Sequence, residues 1–195
     1  MKTLARAAAC VLAAGALSMV TAGTSSAAPA SLNITYSCNF TLIGAQDMPT
    51  TVSSTDLPDS ATVGVPTAVS NTTVTSTVSE SATTTLAWLG AKSVDGTMTS
   101  QVPVVNGSAT QTLTSVSTIP NTPVPSSGTF QVTATGTFPA MTLANAGSAT
   151  ISLGSAELKL TPRLANGDAT WLGTITVPCT VKPGQSTTFY TFPVA

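Results

Sequence analysis

Between positions 31 and 43 the chain alternates without a break. Leu32, Ile34, Tyr36, Cys38, Phe40 and Leu42 are apolar, while Asn33, Thr35, Ser37, Asn39 and Thr41 are polar. A period of two over this length predicts a strand with one buried face, and Cys38 lies on that face. Similar runs follow at short spacing. Residues 51–58 are expected to end at Pro58. Residues 71–79 place Val74 and Val78 on one face. In 96–105, Met98, Val102 and Val104 alternate, and Pro103 predicts an edge strand or a bulge. The run 110–119 is expected to stop at Pro120. Phe130, Val132, Ala134 and Phe138 share a face. Residues 148–154 and 156–163 are expected to meet in a hairpin at Gly154-Ser155. Asn166-Gly167 marks a turn, with Asp168 beside it, and 173–181 carries Cys179.

One segment departs from this period. In residues 79–90, Leu86, Trp88 and Leu89 lie close together with Gly90 just behind. That pattern predicts a short helix near 81–89 with a glycine stop. Thr83, Thr84 and Thr85 weigh against it. About nine strands separated by Gly, Pro and Asn turns point to an all-β, two-sheet antiparallel sandwich of immunoglobulin-like type. The Pro-rich stretch 117–128 is expected to connect sheets rather than divide two domains.

The first 30 residues read as a secretory signal peptide. Lys2 and Arg6 precede an apolar run from Ala7 to Val20, then a small-residue segment. Cleavage after Ala30 is expected, and cleavage after Ala28 is the alternative. Residues 31–195 then form a single domain. That part holds four basic and seven acidic residues, a net charge of −3. Such a balance argues against nucleic acid as a partner, which needs clustered Lys and Arg. With 42% apolar residues, the chain is too hydrophobic for disorder. No second apolar run reaches membrane length, so no transmembrane segment is expected in the mature chain. The ending "TTFYTFPVA" lacks a sorting tail. The expected location is therefore extracellular, with any wall association non-covalent and an envelope or extracellular partner unidentified.

Cys10 goes with the leader, which leaves Cys38 and Cys179. In an exported chain these are expected to form one inter-strand disulfide. Two Cys without His complete no ordinary zinc site. The chain contains no histidine. This removes Ser-His-Asp and Cys-His catalysis and the commonest general base. Only a carboxylate pair is left for hydrolysis. Asp56 and Asp59 flank a Leu-Pro turn. Asp47, Glu80, Asp95, Glu157 and Asp168 are spread over the rest of the chain. All are expected to be solvated loop residues. No cofactor, metal or catalytic residue is therefore expected. Trp88 and Trp171 are expected in the core, with a sugar-binding platform as the alternative. The sequons at Asn33, Asn39, Asn71 and Asn106 are expected by chance in so polar a chain.

Several segments together resemble an actinobacterial family of secreted domains of unknown function. The first is an early Y-x-C-x-F-x-L-I-G-x-Q strand, matched by Tyr36, Cys38, Phe40, Leu42, Ile43, Gly44 and Gln46. The second is an L-P turn with a later glycine, matched by Leu57, Pro58 and Gly64. The third is a late P-C-T-x-x-P-G-Q segment, matched by Pro178, Cys179, Thr180, Pro183, Gly184 and Gln185. The resemblance implies one domain with a cysteine pair, and implies no activity. The expected function is a non-enzymatic structural or interaction module. The alternative is a carrier holding a small apolar ligand between the sheets, which needs more interior space than the side chains fill. A carboxylate-pair hydrolase ranks last.

Overall fold

The computed structural model describes residues 27–195. Most of the expected leader lies outside the described residues. Ten strands and one helix follow in order: β1 (Ala27–Phe40), β2 (Gly44–Pro58), β3 (Ser70–Val78), α1 (Glu80–Trp88), β4 (Ser93–Asn106) and β5 (Ala109–Pro123). Then come β6 (Phe130–Phe138), β7 (Gly147–Ser152), β8 (Ala156–Arg163), β9 (Ile175–Val181) and β10 (Thr188–Val194). The alternation at 32–42 holds through Phe40, with Ile34, Tyr36 and Cys38 buried; its last member, Leu42, lies in the following turn and is exposed.

All-β is correct, but the expected sandwich is not what forms. The ladder runs β4-β5-β6-β3-β2-β1-β9-β8, and β8 pairs back onto β4. These eight strands close a barrel, with no free edge in the circuit. Closure rests on Ser93–Ser100 of β4 pairing with Ala156–Arg163 of β8. Alternation predicts which side chains face inward, and it reads the same in a sandwich as in a barrel. It does not say whether the first and last strands of the sheet meet.

The Gly154-Ser155 hairpin is also corrected. β7 and β8 do not pair with each other. Both run antiparallel to β4, β7 opposite Val104–Asn106 and β8 opposite Ser93–Ser100. They form one long, interrupted strand. Gly154 sits at the interruption, where its N–H donates to the Gln101 carbonyl at 2.9 Å. A Cβ there would lie 2.8 Å from that same oxygen. The glycine therefore serves a close backbone approach and not a turn. Pro103 falls at the same junction, where β4 changes partner, so its missing N–H interrupts no ladder. β4 is thus an interior strand and not an edge. β5 likewise continues past Pro120 to Pro123. A register shift between Val94 and Gly96 absorbs that proline as a bulge.

The barrel is apolar inside and hydroxylated outside. On β3 and β6, Val74 faces Ala134 inward, while Thr73 faces Thr135 and Thr75 faces Thr133 outward. The Thr75 and Thr133 hydroxyls meet at 3.3 Å. A membrane-spanning barrel has the reverse polarity. No helix among the described residues is long and apolar enough to cross a membrane. One buried cluster takes members from both sides of the Pro-rich stretch, including Ile34, Val74, Val132 and Val177. β7 and β10 extend it past the barrel wall through Ile151 and Phe192.

Cys38 and Cys179 are bonded, directly opposite each other in the β1–β9 ladder with Cα atoms 4.0 Å apart. Residues Ala27–Ala30, at the end of the expected leader, are extended and pair along Ser54–Pro58 of β2.

Asp56 is not a free turn residue. Its carboxylate accepts the backbone N–H of Asn71 at 2.8 and 3.0 Å, Asn71 Nδ2 at 2.7 Å and Ser54 Oγ at 3.1 Å. The Asn71 backbone N–H, first, and the two side chains hold its carboxyl below the usual carboxylate range. A depressed folded pKa stabilises above the unfolded value and loses that contribution as pH falls through the folded one. Asp56→Asn is therefore expected to reduce the loss of stability between neutral pH and about pH 3. Urea midpoints of both proteins at pH 7 and pH 3 measure this. An identical acid loss in the two would assign it to other groups.

Candidate functional site

One end of the barrel encloses an apolar pocket to which every barrel strand contributes. Its wall includes Phe40 of β1, Met48 of β2, Val74 of β3, Met98 of β4, Ile119 of β5, Val132 of β6, Leu158 of β8 and Ile175 of β9. Leu42 and Ile43 of the β1–β2 turn and Leu172 of the β8–β9 loop stand at the rim. The cavity measures ≈ 70 Å³. An eight-stranded barrel is just wide enough to be filled by side chains or to keep one small ligand. This one is left partly unfilled.

α1 covers the mouth. Ala82, Thr85, Leu86 and Leu89 all line the pocket, at the i, i+3, i+4, i+7 spacing of one helix face. The helix forms despite three threonines because its ends are well made. Ser79 is the N-cap and accepts the Ala82 N–H at 3.3 Å. At the other end Gly90 takes a φ of 77°, the Gly90 N–H reaches the Ala87 carbonyl and the Ala91 N–H reaches that of Leu86. That is a Schellman cap, for which glycine is the suited residue. Thr83 and Thr85 return their hydroxyls to the carbonyls of Ser79 and Ser81. Ser79 Oγ also donates to Gln46 Oε1 at 2.9 Å, tying the start of the lid to β2. The expected helix near 81–89 is present. Sequence reasoning missed its inward stripe because Thr85 interrupts the apolar signal.

The pocket wall carries no titratable side chain. Its few hydroxyls are mostly engaged: Ser76 Oγ meets Thr50 Oγ1 at 2.9 Å, and Thr85 bonds within the helix. Below the pocket, Tyr36 donates its hydroxyl to the Gly154 carbonyl at 3.1 Å, and burial pushes the phenol up to about 12. It stays neutral at any ordinary pH.

The acids lie elsewhere. Asp95 pairs with Arg163 through two hydrogen bonds, Asp47 with Lys182 at 2.6 Å, and Asp168 accepts from Asn166 within the expected Asn-Gly turn. Among the described residues, no three potential metal ligands cluster. The sequon at Asn106 is buried and its amide is taken up by the carbonyls of Asn145 and Ser148. Gln185, read in the late motif, clamps β1 by accepting the Thr35 N–H at 2.8 Å and donating to its carbonyl at 2.9 Å.

The expectation that Trp88 and Trp171 are core is overturned. They are 76% and 72% exposed. Each neighbours a lining residue in sequence, Leu89 and Leu172, but neither lines the pocket. A preference based on residue type alone had no access to that placement.

A model of a family of unknown function, DUF6801, matches residues 35–190, most of the chain. The chain belongs to that family. The matched span of this DUF6801 domain covers β2 to β9 and the second half of β1, the lid and both cysteines. No characterised protein and no solved structure compared with it gives a match.

Proposed function

We propose that this domain is a non-enzymatic, extracellular binding module that holds a small apolar ligand inside its barrel. The observation that carries this reading is the cavity itself. Eight strands and the lid converge on space that their side chains do not fill, and the wall offers apolar contact without charge. Catalysis is not part of the reading, because general acid–base work needs a titratable group within hydrogen-bond reach of the substrate. Export is supported by the leader-like N-terminus and by the disulfide. The hydroxylated outer wall supports a barrel that stands in water.

Each methylene buried in such a space contributes about 0.8 kcal/mol, so a small ligand binds there through apolar contact alone.

Three methionines of the expected mature chain report on this directly. Met48 and Met98 line the pocket, and Met141 is buried outside it. With solvent-washed protein labelled at the methionine methyls, 1-hexanol is expected to shift the Met48 and Met98 resonances saturably and leave Met141 in place. Equal movement of all three, or of none, overturns the reading.

A further inference from the structure

Beside the pocket two strands run on past their outer partners. β2 pairs with β3 only from Thr50 opposite Ser76 to Ser53 opposite Thr73, although β2 begins at Gly44 and β3 ends at Val78. Pro49 is the next residue beyond that ladder, and it has no N–H with which to extend it. On the other side β1 pairs with β9 only from Tyr36 to Cys38, although β1 continues to Phe40. β1 and β2 stay paired with each other as far as Phe40 and Gly44. Residues 39–49 are therefore a two-stranded ribbon with no ladder on either outer edge among the described residues. An outer groove of ≈ 230 Å³ lies at the parting from β3, lined in part by Pro49, Thr51, Thr75 and Thr77.

The same ribbon carries part of the pocket wall. Phe40, Thr41, Leu42, Ile43 and Met48 all line the cavity. Thr41 and Leu42 are also exposed, so the cavity meets water at the tip of the ribbon.

Among the described residues, two polar contacts tie the ribbon to its surroundings. One is the exposed ion pair of Asp47 with Lys182, of a kind that contributes little. The other is made by Gln46. Its Oε1 accepts the Ser79 hydroxyl at 2.9 Å, while its Nε2 donates to the Ile43 and Ala45 carbonyls at 3.2 and 3.1 Å. One side chain thus joins the tip of the ribbon to the N-cap of the lid. The lid itself is held by backbone at both ends. Val78 before it pairs with Phe130, and after it the Lys92 N–H and carbonyl bond to Arg163 and Val124. The element with the fewest ties at the mouth is the ribbon and not the helix.

Resting on the pocket reading above, we propose that the β1–β2 ribbon is a flap through which ligand enters and leaves. The Cys38–Cys179 bond fixes its base, and the Gln46–Ser79 hydrogen bond is its clasp. Opening moves Leu42 and Ile43 away from the lid and uncovers the cavity. Neither Gln46 nor Ser79 lines the pocket, so the empty and occupied closed states hold the same clasp. Loosening it then speeds entry and exit alike and leaves affinity in place, because the clasp makes no difference between the two states.

The test uses disulfide-intact protein that begins at the expected mature terminus, with 1-hexanol as the probe. Its on- and off-rates are read from exchange broadening of the Met48 and Met98 methyl resonances. Gln46→Met removes one half of the clasp at similar side-chain length. Ser79→Gly removes the other half, and glycine still serves as an N-cap. Each variant is expected to raise both rates by about two- to tenfold, the worth of one net hydrogen bond, with Kd within about twofold of native. The double variant is expected to be no faster than either single one, since both remove the same bond. A rise in the off-rate alone, with Kd weakened to match, makes Gln46 a support of the closed site and overturns the flap. Unchanged rates in both single variants overturn it too, as do effects that multiply in the double variant. In those cases Met48 and Met98 still respond, and the pocket reading stands. Silence of both methyls toward 1-hexanol in every variant, native protein included, removes the pocket reading and the flap with it.

Discussion

Removal of the Cys38–Cys179 disulfide is expected to cost about 3–5 kcal/mol, which for a domain of this size lowers Tm by roughly 6–20 °C. The bond joins residues 141 apart in sequence, so the unfolded chain gains considerable freedom when it is cut. Its position in the fold adds a second reason. β9 meets β1 over only three residue pairs, Tyr36 with Val181, Ser37 with Thr180 and Cys38 with Cys179. The bond therefore sits inside one of the short seams of the barrel. Both cysteines are buried, and alanine suits the replacement better than serine, whose hydroxyl would enter an apolar core. Cys38→Ala with Cys179→Ala, compared with native protein in a thermal scan, measures the effect. A Tm change under about 2 °C would show that the seam holds without the bond and that chain entropy is the wrong account.

The strands were legible because the period of two was strong, above all from Leu32 to Phe40. The helix was legible from Gly90 and the leucines before it, and its cap completes that reading. What failed was the meaning of punctuation. Gly154, Pro103 and Pro120 all read as ends or edges, since glycine and proline most often break a strand. Here each marks a place where a strand continues while its partner changes or slips. Whether glycine turns the chain or admits a neighbour depends on what lies opposite, and that is set by residues fifty positions away in the case of Gln101 and Gly154. Barrel closure was invisible for the same reason. The pocket was hidden more deeply. An inward residue such as Val74 or Met98 has the same place in the pattern whether it meets another side chain or open space. Trp88 and Trp171 were misplaced because residue-type preferences describe the average large aromatic, and these two are exposed.

Gly96→Ala is expected to destabilise the domain by more than about 4 kcal/mol, in the range that only a few mechanisms reach. Gly96 lies in β4 opposite Leu160 of β8, in the ladder that closes the barrel. A Cβ at this position would run into the Lys159 carbonyl oxygen, with the Lys159 carbonyl carbon at 2.9 Å and Leu160 Cα at 3.1 Å. These are backbone atoms held by pairing on both sides, because β8 is also bonded to β9 from Ala156 to Leu160. They have no flexible end that can swing away. The two strands must separate, and the hydrogen bonds that close the circuit lengthen with them. The same strands carry Met98 and Leu158 into the pocket, so binding of a small apolar ligand is expected to fall along with stability. Gly44→Ala provides the comparison. Gly44 also has a positive φ, 69°, but a Cβ there meets nothing within 4 Å. It should cost only the backbone strain of about 1–2 kcal/mol. Urea unfolding of the two variants separates crowding from conformation. Equal losses would mean that the β4–β8 seam yields freely, and that the barrel is held closed by its other pairings.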